Sequence, residues 1–253
     1  MTGAEFYREN GYLHAHGVFS AAEVDEMRAA IDAILVRVAG TEHDENHVWK
    51  AVAQEAVLKG FHNVQYHDAA FTRAAMNPRL VELLTQLVGP NVQLHHTKML
   101  VKPPERGAPF AMHQDYPYFP HERHTLVAAS IHLDDTDLEN GCLRVVPASH
   151  TQGPLAVEGE SNTLAIPLED GTPLPAAAGD VVFFGYLTIH GSGVNASDRT
   201  RRNVLFQYRD PEDAPVLQNG REEHVNWGQG LMVAGHNRVY WQRRTRFEVK
   251  PLA

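Results

Sequence analysis

Short apolar runs separated by turn residues fill the chain between residues 92 and 208, and this pattern restricts the possible folds most. The runs are 92–101, 126–133, 142–146, 163–168, 181–184 and 204–208. The dipeptides Asn140-Gly141 and Gly179-Asp180 stand at the edges of two runs and are typical of turns. Many short strands with few helices between them indicate an antiparallel sandwich or barrel, not a parallel sheet with crossover helices.

The first third of the chain is predicted to be helical. Ser20 and Glu23 form a capping box, in which each side chain satisfies a free backbone amide at the start of a helix. Apolar residues follow at helical spacing, and Gly40 is expected to end this helix. A second helix is predicted between a cap at Asn77 and the pair Gly89-Pro90.

We therefore predict one domain over residues 1–253. It would have a helical layer at 1–90, a β core at about 91–210 and a C-terminal extension at 211–253. With 43% hydrophobic residues the chain can fill one large core, and no internal repeat or linker divides it.

Composition predicts a cytoplasmic protein. The net charge is −9 and no basic stripe is present, so no nucleic-acid partner is expected. Cys142 is the only cysteine, which excludes an intrachain disulfide, and we expect it to be a buried packing residue. No apolar run suits a signal peptide or a membrane span. The oligomeric state stays open between monomer and homodimer.

Histidines supply the first indication of chemistry, since the chain has 16 of them and histidine is the commonest metal ligand. His113 and Asp115 are separated by one residue, so in a strand both side chains point to the same face. His132 and Asp134 have the same spacing, which shows that the pattern alone is weak evidence. We expect His132, like His95 and His96, to be structural.

A second element strengthens the metal hypothesis. An apolar run beginning at Gly179 ends in His190, and Arg201 opens the next strand-like run. Two imidazoles and one carboxylate form the facial triad of non-haem Fe(II) oxygenases, which leaves three coordination positions open. The planar guanidinium of an arginine suits the distal carboxylate of a 2-oxo acid bound at such a centre.

The order of these motifs resembles that of the phytanoyl-CoA dioxygenase family of Fe(II)/2-oxoglutarate oxygenases. The resemblance covers roughly residues 5–210. The segments that carry it are 99–104 (MLVKPP), 113–115, 118–120, 140–143, 147–150, 179–180 and 190–195, with Ser197 and Arg201. It implies a double-stranded β-helix, or jelly roll, with helices packed outside.

The resemblance also implies the roles of individual residues. Three side chains become the iron ligands: His113, Asp115 and His190. The distal carboxylate of 2-oxoglutarate would bind Arg201 with support from the Ser192 hydroxyl, and Met99 would line the cosubstrate pocket.

The chain departs from the family pattern in this pocket. Asn63 and Ser130 stand where better-known members can place a lysine and a tryptophan. Related halogenases lack the ligand carboxylate, so the presence of Asp115 favours hydroxylation over halogenation.

The leading prediction is an Fe(II)- and 2-oxoglutarate-dependent enzyme that uses O2 to hydroxylate a natural-product or catabolic small molecule. No basic cluster suits the phosphates of an acyl-CoA. Two alternatives stay open: a cupin-like metalloenzyme without 2-oxoglutarate, and a non-catalytic binding protein on the same fold. Candidates to border the substrate are the loop 116–124, the pair Trp49-Lys50, and the segment 227–232.

Overall fold

The computed structural model describes residues 1–39, 41, 46–48, 57–105, 107–156, 163–216 and 230–238. The predicted helix stop at Gly40 lies outside these residues, as do Trp49, Lys50 and Trp227. None of the described helices combines the length and the apolar character that crossing a membrane requires.

Four α-helices are described: α1 (Gly3–Asn10), α2 (Ala21–Val38), α3 (Ala69–Ala75) and α4 (Pro78–Leu87). The predicted capping box of α2 is confirmed, since the Ser20 amide donates to the Glu23 carboxylate at 2.7 Å and the Glu23 amide to the Ser20 hydroxyl at 3.4 Å. The cap of α4 is confirmed as well, because the Asn77 side chain accepts hydrogen bonds from two amides of its first turn.

Twelve strands are formed by the described residues. They are β1 (Tyr12–Ala15), β2 (Asn46–Val48), β3 (Val57–His62), β4 (Val92–Lys102), β5 (Phe110–His113), β6 (Val127–His132), β7 (Leu143–Val145), β8 (Thr172–Leu174), β9 (Val181–Gly185), β10 (His190–Ser192), β11 (Arg201–Arg209) and β12 (Leu231–Ala234).

The structure corrects two secondary-structure predictions. The segment 163–168 is not a strand: Thr163 makes one isolated bridge to His113, and after Pro167 the chain forms a short 3-10 turn. Proline cannot donate to a strand ladder, and β8, which contains Pro173, forms at the end of the small sheet, where that donor is not needed. The first ninety residues are not only helical either, because β1, β2 and β3 lie among them. β1 pairs with the distant strand β9, and β3 pairs with β4, so local sequence alone does not decide their conformation.

The strands form two antiparallel sheets. The main sheet has the order β1-β9-β6-β11-β4-β3-β2, with β12 also pairing with β4, and the smaller sheet has the order β5-β10-β7-β8. Apolar residues of β6 and β9 pack against those of β7 and β8, so the sheets face each other. The opposite face of the main sheet packs on α2, α3 and α4 in the larger core. The predicted jelly roll with an outer helical layer is confirmed.

Alternation along β4 and β11 determines which side chains reach the space between the sheets. Lys98, Leu100 and Lys102 of β4 line a pocket there, whereas Met99 and Val101 point into the helix-facing core. On β11 the same alternation sends one set of residues to the pocket: Arg201, Asn203 and Leu205. The main sheet therefore forms one wall of the candidate site.

Candidate metal and cosubstrate site

Strand pairing in the small sheet brings two histidines together. β5 ends at His113, β10 begins at His190, and the two residues are direct partners in the antiparallel register. Their rings lie 4.3 Å apart between centroids. Asp115 follows just beyond β5, where its amide donates to the Tyr186 carbonyl at 2.9 Å.

The three side chains present their ligand atoms to a common point. The Asp115 Oδ1 atom lies 3.6 Å from His113 Nε2 and 3.8 Å from His190 Nε2. One ligand atom from each of the three residues falls within 4.8 Å of the others. His190, which is distant in sequence from His113 and Asp115, thus forms one compact group with them.

Backbone carbonyls select the tautomer of both imidazoles. His113 Nδ1 lies 2.8 Å from the Ala111 carbonyl, and His190 Nδ1 lies 2.9 Å from the Thr188 carbonyl. A carbonyl only accepts, so each Nδ1 carries the proton and each Nε2 keeps its lone pair for a metal. This donor set, two imidazoles and one carboxylate, fits a non-haem Fe(II) centre.

The charge states of His190 and Asp115 agree with metal binding, whereas at His113 burial alone would lower the pKa but the hydrogen bond and charge of Asp115 raise it. Burial, followed by the nearby His113, lowers the pKa of His190 to about 4, so its imidazole is neutral near pH 7. Burial alone would raise the pKa of the Asp115 carboxyl, but the two imidazoles and Gln207 hold it well below its usual range. The carboxylate is therefore ionised and ready to bind a cation.

Gln207 orients this carboxylate. Its Nε2 atom donates to Asp115 Oδ2 at 2.8 Å, which leaves Oδ1 directed at the two imidazoles. Gln207 is almost fully buried on β11, opposite His96 of β4. A residue of the main sheet thus holds one carboxylate oxygen, while the other oxygen faces the two histidines of the small sheet.

A buried cationic group lies in the same pocket. Arg201 is 6% exposed, and its guanidinium donates to the Asn203 side chain and the Gly141 carbonyl. Lys102, its register partner on β4, donates to the Ser192 hydroxyl at 2.7 Å and also to the Gly193 carbonyl. Arg201, Lys102 and Ser192 all line the pocket that contains the triad, a position that suits an acidic cosubstrate.

Met99 occupies a different place from the one that the sequence predicts. Its side chain is buried in the core between the main sheet and the helices. Because side chains alternate along β4, Met99 faces away from the pocket that Leu100 and Lys102 line. Ser130 lines the pocket, whereas Asn63 caps a short 3-10 turn after β3 with φ +57°.

Other candidate residues pack within the fold. In the loop that follows Asp115, Tyr116 and Phe119 pack against a small cluster that includes Tyr186. His124 Nδ1 lies 2.6 Å from the Tyr186 hydroxyl. Arg123 lies 3.6 Å from both the Asp210 and Glu212 carboxylates. Cys142 is buried, as predicted.

Sequence reasoning missed Lys102 and Gln207. The signal for each was present in strand alternation: Lys102 stands two residues beyond Leu100, and Gln207 stands at an even step from Arg201 along β11. Neither signal predicts a hydrogen bond to a particular atom, since that needs the register between strands.

Comparison with known proteins places these features in context. The family model described as phytanoyl-CoA dioxygenase matches residues 7–203. A probable alpha-ketoglutarate-dependent hypophosphite dioxygenase of Stutzerimonas stutzeri is 29% identical over 252 residues, covering 92% of this chain and 86% of that protein. Peroxisomal phytanoyl-CoA dioxygenase of Rattus norvegicus is 31% identical over 231 residues, which cover 81% of this chain and 66% of that protein.

A solved structure extends the likeness to three dimensions. The epimerase SnoN, crystallised with Fe3+, alpha ketoglutarate and nogalamycin RO, superimposes with a TM-score of 0.73 at 27% sequence identity. The superposition covers 91% of this chain and 97% of the epimerase.

Proposed function

Because the chain belongs to the phytanoyl-CoA dioxygenase family, we propose that it oxidises a C–H bond of a small molecule. The enzyme is an oxygenase that depends on Fe(II) and 2-oxoglutarate and uses O2. Hydroxylation, with release of succinate and CO2, is the outcome that we propose. The single observation that carries the site assignment is the convergence of His113, Asp115 and His190 beside a buried cationic group.

In this proposal iron would be held by the Nε2 atoms of His113 and His190 and by Asp115 Oδ1. The bound iron and 2-oxoglutarate supply the activation of O2. The Ala111 and Thr188 carbonyls fix the imidazole tautomers. No side chain of the triad has to transfer a proton, so rigid positioning is its whole contribution.

Arg201 binds the distal carboxylate of 2-oxoglutarate, with Ser192 and Lys102 beside it. These groups are nearly excluded from water, and hydrogen bonds between charged partners are strongest in such surroundings. Met99 does not contribute its side chain to this pocket in the proposal, because that side chain packs in the helix-facing core.

The substrate is proposed to lie on the Lys98 side of the triad. Lys98 and Lys102 share one face of β4, and the four residue steps between them span roughly 13 Å. The cosubstrate tail occupies the Lys102 end, so the Lys98 end is left for the substrate. Apolar side chains line much of the wall and exclude water from the reacting groups: Leu100, Phe110, Leu143, Phe184 and Leu205.

The cytoplasmic location, the lack of a nucleic-acid partner and a monomeric or homodimeric state remain part of this proposal. The acidic net charge of −9 and the single cysteine support the first two. Nothing in the pocket requires an acyl-CoA, and we propose a natural-product or catabolic compound instead.

An anaerobic titration tests the assignment. Metal-free protein receives Fe(II) and then 2-oxoglutarate, and the weak visible charge-transfer band of the iron–2-oxoglutarate chelate is recorded. We expect the band in the wild type, its loss in His190→Ala, and at least a tenfold higher 2-oxoglutarate requirement in Arg201→Ala.

Arg202→Ala is the matched control. Arg202 is the next residue on β11, but its guanidinium pairs with Asp134 at 3.0 Å outside the pocket. Its 2-oxoglutarate requirement should equal that of the wild type. Tight iron binding without the band would favour the cupin-like alternative, and failure to bind iron would favour the non-catalytic one.

A further inference from the structure

A second cluster of potential metal ligands lies at the edge of the main sheet. His14 belongs to β1, the end strand, and His16 follows two positions later. Asp180 immediately precedes β9, which pairs with β1 through Ala15 and Val181. The strand register therefore brings together residues that are 166 positions apart along the chain, and none of them belongs to the proposed iron site.

Both imidazoles are directed at a single oxygen atom. Asp180 Oδ2 lies 2.9 Å from His14 Nε2 and 3.0 Å from His16 Nδ1. The two rings are 4.1 Å apart between centroids, and the three ligand atoms lie within 4.8 Å of one another. A histidine pair around one carboxylate oxygen has the composition of a metal site with an open position.

The carboxylate is fixed by the backbone. Asp180 Oδ1 accepts from the Gly17 amide at 2.8 Å, and Oδ2 accepts from the Ala177 amide at 3.1 Å. Gly17 has φ +60°, a conformation that glycine adopts easily, and this lets the chain turn around the carboxylate directly after His16. Supporting hydrogen bonds of this kind orient carboxylate ligands in metal sites.

We propose that His14, His16 and Asp180 form a second binding site, selective for a borderline divalent cation such as Zn2+. Two imidazoles and one carboxylate match the ligands that zinc prefers, and water completes the coordination at the exposed side. The His16 side chain is 76% exposed while that of Asp180 is 6% exposed, so the site is anchored on one side and open on the other.

Small movements are enough to admit the ion. Tetrahedral coordination at about 2.0–2.1 Å separates neighbouring ligand atoms by roughly 3.3 Å. The present separations of 2.9 and 3.0 Å need to grow by only a few tenths of an ångström. The exposed His16 ring can make this adjustment without disturbing the strand pairing of β1.

Such a site would clamp the first strand onto the sheet. Among the strands that the structure describes, β1 pairs only with β9 and is therefore an edge strand. A cation shared between β1, the turn after it and Asp180 would add a cross-link between segments 166 positions apart along the chain. The role is structural, and it does not depend on the chemistry proposed for the other site.

Stoichiometry of Zn2+ binding provides the test. Chelator-treated full-length protein is titrated with Zn2+ by calorimetry. We expect two equivalents in the wild type, one in His190→Ala, one in His16→Gln and none in the double variant. His67→Gln removes another exposed histidine outside both clusters and should retain two equivalents.

Retained circular dichroism and thermal melting show that each variant is folded. His16 is the chosen position because its exposed ring is not needed for packing. One equivalent in the wild type that disappears in His190→Ala would overturn the proposal. So would a second equivalent that survives in His16→Gln.

Discussion

Lys102 and Arg201 are direct partners across β4 and β11, and both are buried cations, 3% and 6% exposed. Among the residues that the structure describes, no carboxylate pairs with either side chain. Burial, followed by the charge of Arg201, lowers the pKa of Lys102 well below its usual range. Burial also lowers the pKa of Arg201 to about 10. A bound dicarboxylate would relieve this repulsion, so the pair is suited to an anionic cosubstrate and unfavourable without one.

Replacement of Lys102 should weaken 2-oxoglutarate binding without lowering the stability of the protein. In Lys102→Met we expect the 2-oxoglutarate requirement to rise about tenfold, or about 1.4 kcal/mol, because one charged hydrogen-bond donor is lost. The melting temperature without 2-oxoglutarate should be unchanged or higher, because the repulsion with Arg201 disappears. Lys98→Met removes a charge from the same strand face. An equal loss of cosubstrate affinity in that variant would contradict the specific role of Lys102.

Removal of the Gln207 amide should weaken iron binding without unfolding the protein. Gln207 donates to Asp115 Oδ2, and its own Oε1 atom is buried with no hydrogen-bond partner. Gln207→Leu keeps the volume but frees the carboxylate to rotate, and groups that orient metal ligands typically affect affinity 10–100-fold. A competition titration with a fluorescent Fe(II) chelator measures this loss. An unchanged iron affinity would show that the carboxylate is held by other contacts.

Gly141 should tolerate no side chain. It has φ +72°, and an added Cβ would meet the carbonyl oxygens of Gly193 and Val194. Its own carbonyl accepts from Arg201. Gly141→Ala should cost about 2–4 kcal/mol of unfolding free energy, and should also weaken 2-oxoglutarate binding. Gly230 has φ +75°, and no atom of the described residues lies within 4 Å of an added Cβ, so Gly230→Ala should cost only about 1–2 kcal/mol of unfolding free energy, measured by urea unfolding.

Acid should destabilise the metal-free protein through His132. Burial, followed by Arg201 and His14, lowers its pKa to about 3 from the ordinary 6.5. Between these values the unfolded chain binds a proton that the folded chain does not. The free energy of unfolding is therefore unaffected by His132 above pH 6.5 and decreases as the pH falls from 6.5 towards 3.

Urea unfolding at pH 7.5 and pH 5.5 measures this effect. Between pH 7.5 and pH 5.5 the free energy of unfolding of the wild type should fall by about 1.4 kcal/mol more than that of His132→Leu, which cannot bind the proton. Identical losses would mean that His132 is not protonated selectively in the unfolded state. Other buried histidines contribute equally to both proteins, and the comparison cancels them.

Local signals in the sequence predicted much of the fold. The Ser20 and Asn77 caps depend on contacts within a few residues, and both form as expected. The strand at 163–168 was predicted from its apolar content, although Pro167 argued against it. β1 was missed because its conformation depends on pairing with β9, a partner that local sequence does not specify.

The candidate site was only partly predictable. His113, Asp115 and His190 were recognised from residue type and motif order, and the structure brings them together. Met99 was assigned to the pocket by resemblance alone, and strand alternation sends its side chain to the other face. Lys102 and Gln207 were missed because their partners, Ser192 and Asp115, are set by register between strands.

The pairing of β1 with β9 bears on how the protein is made. A ribosome produces residues 12–15 long before their partners at 181–184. Contacts this distant in sequence slow folding, because a long loop must close before they form. Until then the first strand has no sheet to join. Assembly of the main sheet is therefore expected to be a late and slow step, completed only when the strand carrying Arg201 has also been made.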